Sequence, residues 1–254
     1  MVTEIKPPEM YRLYNDLSWT WPIISSHESY IEEGNTFISM IKKYAKIETR
    51  TLLDLGCGGG HMDWVLKKAF EIMSIDKSRN MLELARKLNP EIIYTEGDMR
   101  KFRTDRKFDA VVIHDSINYM LTPVELRAAF LTAYVHLKSC GLMIAYAEQW
   151  PENFMQNRVK YQTGKKGDTE ITFIENYYDP DSSDTTYEST FIYLIRRRGH
   201  FDIQTDRHIC GIMPLSEWRL ALQEIGFFVY EDRFVHSEFA LGEYYPFFIA
   251  IKQT

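Results

Sequence analysis

The sequence predicts an open α/β fold: a seven-stranded sheet, a helical cap at the N-terminus and an inserted antiparallel sheet. Three observations predict it. From residue 51 to residue 141, strand-like apolar runs alternate with helix-like periodicities, the order that builds parallel strands joined by crossover helices. The glycine run Gly56 to Gly60 falls between the first strand and the first helix of that stretch, where such sheets seat their ligands. After Trp150 the alternation gives way to β-rich runs separated by polar turns such as Asp179-Pro180-Asp181.

The cap, residues 1–48, is rich in aromatics before its helix begins: Tyr11, Tyr14, Trp19 and Trp21, with Pro22 ending the run. Ser26 is an N-cap for a helix on which Tyr30, Phe37, Ile41 and Tyr44 share a face. The core, residues 49–149, opens with Thr51 to Leu55 as a buried strand and a glycine turn that lets backbone approach a ligand closely. His61 to Phe70 reads as a helix with Met62, Val65, Leu66 and Ala69 inward. Glu71 to Ile75 is the second strand, closed by Asp76. Ser78 caps a helix whose apolar face is Met81, Leu82, Ala85 and Leu88, and Asn89-Pro90 stops it before the third strand, Ile92 to Thr95. Phe108 to Ile113 is the fourth strand, and it delivers His114-Asp115-Ser116-Ile117-Asn118-Tyr119 to the carboxyl edge of the sheet.

Thr122-Pro123-Val124-Glu125 forms a capping box with proline at the first helical position. Leu126, Phe130, Ala133 and Leu137 then repeat at helical spacing, and Gly141 is expected to end the helix before the fifth strand, Leu142 to Ala147. In the insert, residues 150–212, the runs Ile171 to Tyr177, Tyr187 to Ile195 and Phe201 to Ile209 read as antiparallel strands over the ligand seat. Residues 213–254 return to the core: a helix, Leu215 to Ile225, stopped by Gly226, then strands Phe227 to Phe234 and Pro246 to Ile251.

Composition narrows the function. A chain of 254 residues at 45% apolar content supports one sizeable core with a cap. No apolar run reaches membrane-spanning length and no charged-then-apolar leader follows Met1, so no membrane partner is expected and the chain reads as cytoplasmic. Cys57, Cys140 and Cys210 are too few and too scattered for a disulfide framework or a metal cage, and no metal is expected. A formal charge of −6 lacks the basic footprint of a nucleic-acid binder. A small-molecule substrate remains.

The glycine spacing discriminates between cofactors. Gly56, Gly58 and Gly60 give GxGxG, whereas a dinucleotide fingerprint wants its third glycine where His61 stands, so a nicotinamide or flavin oxidoreductase is disfavoured. With Asp54 ahead of the first glycine, the stretch resembles motif I of the class I S-adenosylmethionine-dependent methyltransferases. Asp76 stands where an open α/β sheet offers a carboxylate to ribose hydroxyls, and EGDMR follows the third strand. The resemblance implies a Rossmann-like sheet that binds S-adenosyl-L-methionine through Asp54, Gly56, Cys57, Gly58, Asp76, Lys77, Asp98, Met99 and His114. It also implies that Asp98 accepts from the adenine amino group while the Met99 backbone meets the ring edge. LKSCGL departs from the family's usual LKPGG.

The layout from cap through insert to final hairpin is similar to the small-molecule branch that includes the sugar N,N-dimethyltransferases. Ser116, Ile117 and Tyr119 match that branch's SSIGY-like turn, while His114-Asp115 stand where it carries apolar or small residues. The resemblance implies methyl transfer to an amine nitrogen of a small polar metabolite held by Tyr14, Ser116 and Tyr119. An O-methyltransferase and a non-catalytic cofactor-binding module stay open as alternatives. A sulfonium methyl is already activated, so transfer needs an in-line nucleophile, a dry pocket and only sometimes a base. His114 is the expected base by position. Tyr14 is the second catalytic candidate, its ring face suited to a sulfonium and a cationic amine. His200, His208 and His236 fall outside the motifs and are weaker candidates, and Arg196-Arg197-Arg198 reads as a solvated hairpin tip.

Overall fold

The structure is a computed structural model and describes residues 10–254; the first nine residues of the expected cap lie outside it. Short 3₁₀ turns at Arg12–Tyr14 and Ser18–Thr20 lead into α1 (Trp21–Ile24), where Pro22 occupies the first turn. A further 3₁₀ turn, His27–Tyr30, passes into α2 (Ile31–Tyr44), and Ser26 precedes it without making a side-chain cap bond. The core continues through β1 (Thr51–Leu55), α3 (His61–Leu66), β2 (Glu71–Asp76), α4 (Arg79–Leu88), β3 (Ile93–Glu96), β4 (Phe108–Ile113), α5 (Pro123–His136) and β5 (Leu137–Tyr146). The insert holds β6 (Val159–Lys166), β7 (Thr169–Tyr178), β8 (Thr186–Arg197) and β9 (His200–Gly211); α6 (Leu215–Ile225), β10 (Phe227–Phe234) and β11 (Tyr245–Lys252) complete the chain.

The main sheet has seven strands in the order β10-β11-β5-β4-β1-β2-β3. Strands β1 to β5 run parallel, and the β10–β11 hairpin closes the edge antiparallel to β5. One face buries Phe37 and Ile41 of α2 with Val65 and Leu66 of α3; the other buries Phe130 of α5 with Trp218 and Leu222 of α6. The insert is a separate sheet in the order β6-β7-β8-β9. Its inward side chains Ile171, Phe173, Phe191 and Tyr193 pack on Leu13, Leu17 and Ile24 of the N-terminal segment and on Met81 of α4. That third core roofs the carboxyl edge of the main sheet. Among the described residues no helix is long and apolar enough to cross a membrane.

Two helix ends and one strand depart most from the sequence reading, each for a local reason. α3 ends at Leu66, not Phe70: the Lys68 and Ala69 N–H groups donate three residues back, to Val65 O and Leu66 O, which tightens the turn, and Glu71 N–H then enters the sheet on Arg50 O. α5 ends at His136, and Gly141 lies inside β5. Leu137 pairs with Phe108 and the next pair is Leu142 with Ala110, so residues 138–141 bulge opposite Asp109. Lys138 Nζ closes the bulge on Asp109 Oδ1 at 2.7 Å, and a Cβ at Gly141 would stand 2.9 Å from Asp109 O. The unexpected strand is β6. Its sequence, VKYQTGKK, is an exposed edge without an inward apolar face, so no periodicity announced it. Gly164 within it lies so close to α1 that an added Cβ would fall 1.7 Å from Ile23 O.

Ser78 ties core to roof. Its Oγ accepts from Met81 N–H at 3.1 Å, capping α4, and donates to Tyr14 O at 2.5 Å. Replacing Ser78 by alanine removes both bonds, and a stability loss of about 1 kcal/mol is expected from the cap alone. A urea titration checks it: the midpoint should fall with the slope unchanged.

Candidate active site

β1 ends on Leu55, and the chain turns at once. The Gly56 and Cys57 N–H groups donate to Ile75 O at 2.8 and 3.0 Å, which holds the loop against β2. Gly56 has φ +90°, Gly58 +53° and Gly60 +75°, conformations that favour glycine. Asp76, at the end of β2, accepts from Gly58 N–H at 2.8 Å through Oδ2 and from Ser78 N–H at 2.7 Å through Oδ1. Burial pushes its carboxyl up, against the pull of those backbone donors. The loop, Asp76, Lys77, Asp98, Met99, His114, Ser116 and Tyr119 line a single cavity of about 550 Å³ roofed by Tyr11, Tyr14 and Trp21. Asp54 lies beneath the loop, buried, and Cys57 is buried with its thiol pushed far up by burial.

At one end of the cavity Asp98 is held by Arg100, whose Nη2 lies 2.6 Å from Oδ2 and whose Nε reaches Oδ1 at 3.0 Å. Arg100 also pairs with Glu125, which accepts Leu121 N–H at 2.8 Å. The Arg100 guanidinium takes the Asp98 carboxyl down to about 2. Sequence reading placed Asp98 in the cavity but not the Arg100–Glu125 clamp, and Glu125 was read only as half of a capping box. The cap half holds: Thr122 Oγ1 accepts Glu125 N–H at 3.2 Å.

At the other end is a buried polar floor. His114 is 6% exposed and neither ring nitrogen has a hydrogen-bond partner. Asp54 Oδ2 and Asp115 Oδ2 each lie 3.8 Å from it, at ion-pair range. Burial opposes the charged ring, but Asp115 and Asp54 outweigh it and hold the imidazole up at about 10. Held up in this way, the ring resists giving up its proton, which weighs against the service as base expected of it. Asp54 also has neither carboxyl oxygen partnered. Beside this floor the Tyr146 hydroxyl sits between Asp115 and Glu33, 3.1 Å from Glu33 Oε1. Burial, then Asp115, push the Glu33 carboxyl up to about 8. Trp21 stacks on His61 at 5.9 Å between centroids, and burial brings His61 down to about 4.

The roof supplies what the motifs did not. Tyr14 OH donates to Tyr119 OH at 2.8 Å, so the two tyrosines that sequence reading placed at the substrate are joined. Tyr119 OH lies 2.6 Å from His208 Nδ1, and His208 Nε2 lies 2.7 Å from Asp206 Oδ2. His208 is thus brought to the site by β9, while His200 begins that strand at the surface and His236 lies against Glu32 at 3.6 Å. The signal for His208 was the period-two pattern that puts Asp206, His208 and Cys210 on one buried side of the strand.

The methyltransferase-domain family matches residues 52–141. The chain is 27% identical over 203 residues to the dTDP-3-amino-3,4,6-trideoxy-alpha-D-glucopyranose N,N-dimethyltransferase of Streptomyces venezuelae, spanning 78% of this chain and 84% of the relative. The chain is an S-adenosylmethionine-dependent methyltransferase. The fold of this methyltransferase is that of the Streptomyces venezuelae DesVI structure, with a TM-score of 0.80 at 23% identity over 93% of this chain and 96% of that one. The SAM-bound CalS10 structure, an amino pentose methyltransferase from Micromonospora echinaspora, aligns with a TM-score of 0.75 at 19% identity, covering 88% and 92%. The methyltransferase uses S-adenosylmethionine. Its residues fit that group: Gly58 has nothing within 4 Å of an added Cβ, which leaves the loop backbone open to close approach, and Asp76 and Asp98 line the cavity beside it.

Proposed function

We propose that this methyltransferase methylates an amine nitrogen of a small polar metabolite, an amino sugar in kind. Asp76 would hold the ribose hydroxyls, Asp98 and Met99 the adenine, and Gly56, Cys57, Gly58 and Lys77 the chain between, with Asp54 and His114 as the floor under its amino-acid end. When bound, S-adenosylmethionine supplies a methyl on a sulfonium. The protein then has to present a lone pair in line with it and keep water out, and alignment of well-positioned reactants accounts for up to about 7–11 kcal/mol of barrier lowering. In this reading residues 1–48 are the cap, 150–212 the substrate lid, and Tyr14, Ser116 and Tyr119 meet the acceptor.

The observation that carries the amine over the hydroxyl is the aromatic lining of the cavity, to which Tyr11, Tyr14, Trp21, Tyr30 and Tyr119 contribute. Ring faces attract an ammonium and give a neutral hydroxyl no such advantage. The relatives named for amino-sugar N-methylation support the same choice. Incubation with methyl-labelled donor and matched pairs of amino and hydroxy sugars tests it: label is expected in the amines, and label confined to hydroxyls would overturn the reading.

A further inference from the structure

We propose that His208, backed by Asp206, is the far end of a proton path that strips the acceptor ammonium through Tyr14 and Tyr119. The inference rests on the amine reading above. Its geometry is a run of contacts at 2.8, 2.6 and 2.7 Å from Tyr14 OH through Tyr119 OH and His208 to Asp206 Oδ2. Tyr14 and Tyr119 line the cavity; His208 and Asp206 stand behind them and are fully buried.

The hydrogen-bond directions follow from the endpoint. Asp206 Oδ2 is an acceptor, already taking Leu13 N–H at 2.7 Å, so His208 Nε2 carries the proton it shares with Asp206. His208 Nδ1 is then left to accept from Tyr119 OH, and Tyr119 oxygen accepts from Tyr14 OH. The Tyr14 oxygen keeps a lone pair facing the cavity. An ammonium against it gives its proton to Tyr14 oxygen as the Tyr14 proton passes to Tyr119 and the Tyr119 proton to His208 Nδ1. The N–H bond of the ammonium breaks, one N–H bond forms on His208, and both phenols end neutral. The freed nitrogen lone pair is the nucleophile. The imidazolium is held between Tyr119 oxygen and Asp206, and its proton returns by the same path after product leaves. A direct transfer to a phenolate is disfavoured, because burial, first among its causes, raises both Tyr14 and Tyr119 well above the ordinary phenol range. His208 and Asp206 are positioning residues in this scheme, acting on the amine through the two tyrosines.

The groups facing His208 are Tyr11, Tyr14, Tyr119 and Asp206, with Cys210 two residues on and Ser189 paired across on β8. None of the side chains among them is a cation. The pH profile of turnover on an amino-sugar acceptor tests the path. In His208→Gln and in Tyr119→Phe, only acceptor that is already unprotonated reacts. At pH 7 kcat should fall about a hundredfold or more, and the deficit should shrink towards a few-fold by about pH 10, where alkyl amines shed their proton unaided. Affinity for S-adenosylhomocysteine should be unchanged in both, which also shows that the variants fold. A loss equal at every pH, or no loss, overturns the proposal. ¹⁵N NMR of the imidazoles in the S-adenosylhomocysteine complex reads the same point without substrate: the His208 proton is expected on Nε2, and a proton fixed on Nδ1 overturns it. Label appearing only in hydroxyl compounds with wild-type protein would instead sink the amine reading, with the NMR result still judging the path.

Discussion

Gly56→Ala is expected to weaken S-adenosylhomocysteine binding by about a hundredfold or more and to lower stability by about 2–4 kcal/mol, the sum of an unfavourable backbone conformation and overpacking. The new methyl has nowhere to go. At φ +90° its Cβ would stand 2.3 Å from Ser116 Oγ, 2.5 Å from Ser116 Cβ and 2.8 Å from Met99 Cε. Ser116 cannot withdraw freely, because its Oγ donates to Leu55 O at 3.0 Å and its backbone belongs to the 3₁₀ turn Asp115–Tyr119. Relief therefore moves the loop, and the loop lines the cavity. Gly58→Ala is the internal comparison for stability: φ is +53° and no protein atom lies within 4 Å of the added Cβ, so the fold should lose far less. Calorimetric titration reads the binding loss in Gly56→Ala. Thermal melts on both variants check the contrast, and equal losses of stability would contradict the steric argument.

Asp76→Ala should abolish measurable cofactor binding at micromolar protein while leaving the fold intact. Two bonds end together, from Gly58 N–H and Ser78 N–H at 2.8 and 2.7 Å, and with them the acceptor that the proposed reading offers to the ribose. Charge-assisted hydrogen bonds are worth about 1.5–3 kcal/mol each, so losing the ribose contacts and the loop's anchor together amounts to about a thousandfold. Circular dichroism should stay native, since β2 keeps its register with both β1 and β3. Binding weakened by less than about tenfold would move the ribose elsewhere.

The core was legible because its determinants are local. A glycine turn, an acid at a strand end and a serine cap each act within a few residues, so spacing alone located Gly56, Asp76 and Ser78. What spacing does not encode is contact between distant segments. The Tyr14 to Tyr119 bond spans 105 positions and the Tyr119 to His208 bond 89. His208 sits on a strand that was foreseen, yet its neighbours come from the sheet edge and the N-terminal strip, which no pattern along β9 announces. His114 shows the same limit from the other side. Its place at the end of β4 was legible and its surroundings were not, because the carboxylates that hold its proton lie on β1 and beside it. β6 escaped notice because an edge strand with polar side chains on both sides has no pattern to read.

One oxygen has two partners of very different kinds. Asp206 Oδ2 accepts Leu13 N–H at 2.7 Å and faces His208 Nε2 at 2.7 Å. Leu13 is the residue before Tyr14, so the bond that seats the N-terminal strip on β9 also fixes where the Tyr14 hydroxyl arrives. Docking and chemistry are thereby made one event. A strip that has lifted takes Tyr14 with it and leaves the rest of the path without its first member, so the protein behaves as a coincidence detector in which an ordered roof is the condition for accepting a proton.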